Sequence, residues 1–229
     1  MEIIYPIIIN KYVAQKNIAS RKEADRLLKA GKIMVNGKLA EPGQMIAATD
    51  DVWVDYDKVL YYVAYNKPRG VVTSCGQGSE RNIVDVLKLP AGVVPIGRLD
   101  KDSEGLIILT NDGRVTDRLL NPDRYHEKEY LVSVDREIVA PQLQQLAAGV
   151  KLDDGYITRT AKVKRIDSKR FTIVLTEGKN RQIRRMVETV GLKVKQLKRV
   201  RIMNIKLDRL TVGQTRPLTK EEIADFFTD

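Results

Sequence analysis

A chain of 229 residues with 43% hydrophobic content can build one large core or two modest ones. Its single Cys (Cys75) and single His (His126) exclude a disulfide framework and leave a zinc site almost without nitrogen or sulfur ligands. The net charge of +10 points to a polyanionic partner, and it is local: Lys179 to Lys206 carries ten Lys or Arg against one acid, Glu188, whereas Met1 to Leu60 carries nine basic against eight acidic residues.

The Ile-rich start has Glu2 in place of a signal peptide's positive charge and is interrupted by Pro6. No run reaches membrane-spanning length, so a soluble cytoplasmic protein is expected. Asn10 to Lys16 reads as a short helix. Ser20 and Glu23 make a capping box for a second helix that runs to Ala30 and stops at Gly31. Ala24, Leu27 and Leu28 share its apolar face, and Lys22, Arg26 and Lys29 form a basic stripe suited to phosphates. Plain solvation and a helix-turn-helix are the competing readings of that stripe. Ile33 and Val35 alternate into Asn36-Gly37, a hairpin turn, and a further strand ends at Val52 to Val54. Asp55 to Val59 reads as a linker.

Tyr61 to Tyr65 has strand pattern and enters N-K-P-R-G at 66–70, where Pro68 fixes a turn and Gly70 lets the chain leave it. A polar loop is expected at 73–81 and a helix over Ile83 to Leu89. In P-I-G-R-L-D-K-D-S-E-G-L, Asp100, Asp102 and Glu104 are wedged between Arg98 and Lys101 just before a buried strand, Leu106 to Leu109. Cations beside a carboxylate at the edge of a dry pocket favour its charged form, and Asp100 is the candidate for that carboxylate. A solvated loop is the blander reading. A calcium loop fails because Asn111 stands where the bidentate Glu is required.

Val115 to Leu120 reads as a helix, Tyr130 to Val134 as a strand, Pro141 to Ala148 as a helix, and Thr160 to Ile166 and Phe171 to Thr176 as strands. His126 has no nucleophile arrangement near it and reads as structural. After Gly178, E-G-K-N-R-Q-I-R-R-M opens a helix with Ile183, Met186, Val187 and Val190 on a core stripe. That leaves Arg181, Arg184 and Arg185 on other faces, Arg181 and Arg184 projecting together. Gly191 ends the helix. Alternation over Val194 to Arg201 sends Lys193, Lys195, Arg199 and Arg201 outward. Thr219 and Glu222 cap a final helix through Phe227.

The string S-R-K-E-A-D-R-L-L-K-A-G-K-I-M-V-N-G-K resembles the S4 RNA-binding module, with Ile8-Ile9 in place of a usual basic residue. Adding N-K-P-R-G, G-R-L-D-K-D-S-E-G-L at 97–106, K-E-Y-L-V at 128–132 and E-G-K-N-R-Q-I-R-R-M at 177–186, the chain resembles the RsuA family of bacterial pseudouridine synthases. H-E-K-E-Y-L-V and R-I-M-N are most similar to its RluF branch. The resemblance implies an α+β protein: a small S4 domain of two helices and a hairpin over 1–58, then a catalytic domain over 59–229 on a mixed, largely antiparallel sheet.

It also implies a chemistry, the isomerisation of a uridine already in RNA after base flipping, with no cofactor and no metal. Asp100 is then the catalytic carboxylate, adding to sugar or base or removing a ribose proton. Tyr130 packs on the flipped base and Arg184 pairs with Asp100. RNA contacts are implied at Arg98, Leu99, Lys101, Arg181, Gln182, Ile183 and Arg185, with Asn10, Lys11, Ser20, Arg21, Lys22 and Arg26 from the S4 module. Arg98 is the candidate to fill the vacated stack or hold a phosphate. Large-subunit (23S) rRNA is the first target expected and a tRNA anticodon stem-loop the second, with small-subunit rRNA as the alternative and a monomer as the working form. A non-catalytic S4-type RNA-binding or ribosome-assembly protein is the rival reading, and it has no need of Asp100, Tyr130 and Arg184 together. A metal-dependent nuclease built on Asp100, Asp102 and Glu104 is the third.

Overall fold

The computed structural model describes residues 3–73, 81–90, 92–121 and 125–228. The polar loop expected at 73–81 falls almost wholly outside them, and so do Cys75 and Pro122.

The N-terminal part consists of β1 (Ile7–Ile8), α1 (Ile9–Gln15), α2 (Arg21–Lys29), β2 (Ile33–Val35), β3 (Lys38–Leu39), β4 (Met45–Ile46) and β5 (Val52–Val54). The Ser20 hydroxyl accepts from the Glu23 N–H at 3.3 Å, capping α2. The reciprocal half of the capping box is not made. The Glu23 carboxylate turns instead to Arg26 at 3.1 Å and Lys58 at 3.8 Å, because two cations within reach outcompete one backbone N–H. Asn36 and Gly37 both take positive φ, +52° and +76°, as a two-residue turn between right-twisted strands requires. The helices and strands close over Ile9, Val13, Ala24, Leu27, Leu28, Ile33, Val35 and Ile46.

The remainder holds β6 (Tyr62–Lys67), α3 (Ile83–Leu87), β7 (Val94–Ile96), β8 (Glu104–Thr110), α4 (Gly113–Leu120), β9 (Lys128–Val134) and α5 (Ala140–Ala148). It continues through β10 (Lys162–Arg165), β11 (Arg170–Leu175), α6 (Gln182–Thr189), β12 (Val194–Ile202), β13 (Ile205–Lys206), β14 (Thr215–Pro217) and α7 (Lys220–Ala224). One sheet runs in the order β10-β11-β9-β12-β8-β6-β14, with β7 paired to β8 and β13 to β12. Every pairing in it is antiparallel except β8 with β12. The unbroken apolar run of β8 suits this central place, since Gly105 to Thr110 are all buried.

The parallel ladder is only two residues long, Lys198 opposite Glu104 and Arg199 opposite Gly105. The backbones approach so closely there that a Cβ on Gly105, whose φ is +107°, would stand 2.3 Å from the Arg199 carbonyl oxygen. Lys67, Gly105, Arg199, Tyr130, Ile173 and Val163 are successive partners across six strands. Residues paired in this way share one face of a sheet.

The strict alternation expected along β12 does not hold. Register shifts interrupt its pairing with β9 between Val194 and Gln196 and between Arg199 and Arg201, and a one-residue slip turns side chains to the other face. Arg199 is consequently 3% exposed, and Arg201 donates to Glu129 and Glu127, both at 2.9 Å, instead of facing solvent freely. The linker after β5 is held at its far end by Asn111, which accepts from the Tyr61 N–H at 3.0 Å and donates to the Val59 carbonyl at 2.9 Å.

Candidate active site

The acidic loop between β7 and β8 is fastened through its backbone from three sides. Thr73 Oγ1 accepts from the Leu99 N–H at 3.0 Å and donates to the Leu99 carbonyl at 2.7 Å. Gly70, at the end of N-K-P-R-G, donates its N–H to the Lys101 carbonyl at 2.8 Å, and the Ser103 N–H donates to the Asp100 carbonyl at 3.0 Å. From α6, Arg184 Nη2 donates to the Asp102 carbonyl at 3.2 Å and Ser103 Oγ at 3.4 Å. None of these bonds uses the Asp100 carboxylate. The loop therefore presents that group without consuming it.

A cavity of about 650 Å³ opens beside the loop, with Asp100, Ser103, Lys128, Tyr130, Arg181 and Arg199 among its walls. Its far side is organised by Glu177. The Glu177 carboxylate accepts from Tyr156 Oη at 2.6 Å, Gln182 Nε2 at 2.5 Å and the Arg159 N–H at 3.1 Å. Gln182 in turn accepts from the Lys179 N–H at 2.9 Å, so the entry to α6 is locked. Arg181 stands just before that helix with φ +47°. At the rim, Arg159 lies over the Tyr125 ring at 4.4 Å and Lys179 over Tyr156 at 4.5 Å.

Asp100, Tyr130, Arg98, Leu99, Arg181, Gln182 and Ile183 all border this one cavity. Arg184 stands behind the loop, 8% exposed, and grips its backbone without forming an ion pair with Asp100. Lys101 is exposed on the loop. Arg185 is drawn off to Asp153 and to Asp154, the latter at 2.8 Å. In the N-terminal part, Lys11, Arg21, Lys22 and Arg26 are exposed, and Asn10 donates to Asp25 at 2.8 Å. Ser20 packs against the start of α4, where a Cβ on Gly113 would lie 2.7 Å from its hydroxyl. The basic segment 179–206 is thus divided. Arg184 and Arg199 are buried and Arg185 and Arg201 internally paired, so the exposed cationic surface is smaller than the sequence count implies.

Sequence reading missed Lys67, Thr73, Lys128, Arg159 and Glu177. Lys67, Lys128 and Glu177 had a signal, as members of N-K-P-R-G, K-E-Y-L-V and E-G-K-N-R-Q-I-R-R-M, whereas Thr73 and Arg159 had none. His126, read as structural, borders the cavity with its Nε2 2.8 Å from the Arg118 carbonyl.

The site is rich in buried positive charge. Burial and the Arg199 guanidinium push Lys128 down. Burial and Arg181 push Arg184 down, against the pull of Asp100 and Asp102. Lys67, fully buried beneath the loop, donates to the Pro68 and Val71 carbonyls at 2.8 and 2.7 Å. Burial lowers its pKa from 10.5 to about 8, with Asp100 and Glu104 opposing the fall. Between these values the unfolded chain holds the proton and the folded chain has released it, so this group makes stability rise with pH. Below about 8 the penalty of the buried charge is present in full. Urea midpoints of wild type and Lys67→Met taken across this range should diverge in favour of wild type as pH increases. A pH-independent difference would remove Lys67 as the titrating group.

Residues 61–189 match the family model described as RNA pseudouridylate synthase, and residues 9–52 match the S4 domain. The chain belongs to the RNA pseudouridylate synthase family. This pseudouridine synthase is 42% identical over 226 residues to the dual-specificity RNA pseudouridine synthase RluF of Escherichia coli K12, covering 96% of this chain and 78% of that protein. It is 36% identical over 228 residues to the ribosomal large subunit pseudouridine synthase B of Bacillus subtilis 168, covering 94% of this chain and 93% of that one. A crystal structure of a pseudouridylate synthase superposes with TM-score 0.72 at 27% identity, covering 96% and 99% of the two chains. The synthase is therefore an RNA-modifying isomerase of the RsuA type and RluF-like branch, with an S4 domain ahead of the α+β catalytic fold. Its partner is RNA. Among the described residues no helix is long and apolar enough to cross a membrane, and no three His, Cys, Asp or Glu cluster as metal ligands.

Proposed function

We propose that this synthase isomerises a uridine of large-subunit (23S) rRNA and a second uridine in a tRNA anticodon stem-loop, with Asp100 as the catalytic carboxylate. The observation carrying the reading is an Asp100 carboxylate that no hydrogen bond among the described residues engages, on a loop fastened at the wall of a cavity of about 650 Å³. A base paired in a stem reaches such a cavity only by flipping out, at a cost of a few kcal/mol. Tyr130 packs on the flipped base. Arg184 holds the loop so that the Asp100 carboxylate meets the sugar. Arg98 and Arg181 at the rim take the displaced strand.

The S4 domain, ending near Lys58, supplies affinity and register through its exposed basic face, and the catalytic domain begins with β6. The name of the B. subtilis relative supports the large-subunit target, and that of the dual-specificity RluF supports a second specificity. The protein acts in the cytoplasm, as a monomer. Pseudouridine mapping of total rRNA and tRNA from cells lacking the gene should show one missing large-subunit site and one missing tRNA site, both restored by the wild-type gene. A missing small-subunit site would replace this target assignment. A complete set of pseudouridines in the deletion strain would overturn it.

A further inference from the structure

Arg199 is the least explained charge in the molecule. It is 3% exposed, lies in the cross-sheet row between Gly105 and Tyr130, and borders the cavity that Asp100 borders. Its Nε donates to the Leu106 carbonyl at 2.6 Å, a group left open where the two-residue parallel ladder ends. Its Nη2 is buried and has no hydrogen-bond partner, and Arg199 forms no ion pair among the described residues. An unpaired buried guanidinium is costly, by an amount that one backbone carbonyl does not offset. The neighbouring charges compound the problem, since Lys128 and Lys67 are both cations that feel Arg199. What would complete this arrangement is an anion that enters the cavity.

The reaction generates one there. When the N1–C1′ bond of uridine breaks, its electron pair stays on the base, and uracil becomes an anion with charge shared by N1, O2 and O4. Asp100 meets the electron-deficient sugar, either by adding to C1′ and leaving again as C5 attacks, or by taking the 2′ proton and returning it to C2′ once C5 has bonded. C5 then bonds to C1′ and gives up its proton, N1 gains one, and no oxidant or reductant is consumed. We infer that Arg199 is the group that carries the negative charge of the uracil in the interval between cleavage and rejoining, through a hydrogen bond from its free Nη2 to a uracil carbonyl oxygen. A backbone phosphate is the other anion available. It is served at the mouth by the exposed Arg98, Lys179 and Arg181, whereas Arg199 sits on the sheet beneath. A preorganised donor aimed where charge develops accelerates the step that develops it.

The inference rests on the assignment of Asp100, and the test separates the two. A stem-loop RNA carrying the target uridine, or 5-fluorouridine at the same position, is followed in single turnover with wild type, Arg199→Met and Arg199→Lys, reading loss of the starting nucleoside for both, because C5 of the fluorinated base has no proton to give up and cannot finish as pseudouridine. Fluorine stabilises the departing anion, so the fluorinated base needs less help to leave. Arg199→Met should lose about a hundredfold or more with uridine and about tenfold or less with 5-fluorouridine, with RNA affinity little changed. Arg199→Lys, which keeps a charge and a donor, should show the same ordering with smaller losses, and it decides the matter should the Met variant fail to fold. Equal losses on both RNAs would make Arg199 a spacer in the sheet. Weakened binding with an altered salt dependence and equal losses would make it a phosphate contact. Either result overturns the inference. Turnover by Asp100→Asn would instead strike the reading beneath it.

Discussion

Replacing Asp100 by Asn leaves the RNA bound and the uridine unconverted. The substitution keeps the shape of the side chain, and the bonds that hold the loop, from Thr73, Gly70, Ser103 and Arg184, all bypass the Asp100 carboxylate. Stability should therefore shift by less than about 0.5 kcal/mol, as for a surface change away from packing or caps. Turnover should fall by about four orders of magnitude or more, the scale seen when a nucleophile or base is removed. Single-turnover pseudouridine formation on a stem-loop, with a binding titration alongside, reads both quantities. Comparable turnover in the variant would take Asp100 out of the chemistry.

Arg184→Met should be the second most damaging change, and in a different way. Arg184 touches the loop through the Asp102 carbonyl and the Ser103 hydroxyl, and not through the Asp100 carboxylate. Removing it leaves the buried Ser103 hydroxyl and the partly buried Asp102 carbonyl without this donor, costing roughly 1–3 kcal/mol of stability, and lets the Asp100 backbone drift. A misplacement of about 1 Å at a reacting group costs on the order of a hundredfold in rate. The loss should appear in the chemical step, with RNA affinity nearly intact. Arg184→Lys should rescue little, because a single ammonium cannot reproduce the planar fork. Full activity in Arg184→Lys would show that only the charge matters there.

Much of this molecule was legible from local pattern. The Ser20 cap, the Asn36-Gly37 turn, the buried run of β8 and the core stripe of α6 each depend on residues within a turn or two of one another. The acidic loop and the string around Arg184 were equally plain, though their junction was read as an Asp100–Arg184 pair when it is a clamp on the backbone. What escaped is non-local. A bulge in β12 ahead of Arg199 reversed its expected direction, a second one follows it, and a bulge leaves no mark in an alternating sequence. Arg185 looked free until Asp153 and Asp154, from another part of the chain, came within reach. Lys67 read as part of a turn, and only the sheet beneath shows it to be a fully buried cation.

The central position of β12 also dictates an order of events as the chain is made. β8 and β9 are not neighbours, because β12 lies between them, paired to one in parallel and to the other antiparallel. Tyr130 therefore has no fixed position relative to Asp100 until residues 194–202 have been synthesised and inserted. The N-terminal core, drawn from residues 3–56, needs nothing beyond them and can close early. Pairings between distant segments carry a large loop-closure cost and form slowly. A nascent or truncated chain of this protein would thus grip RNA before it could alter it, and chemical competence would arrive in one late step of strand insertion.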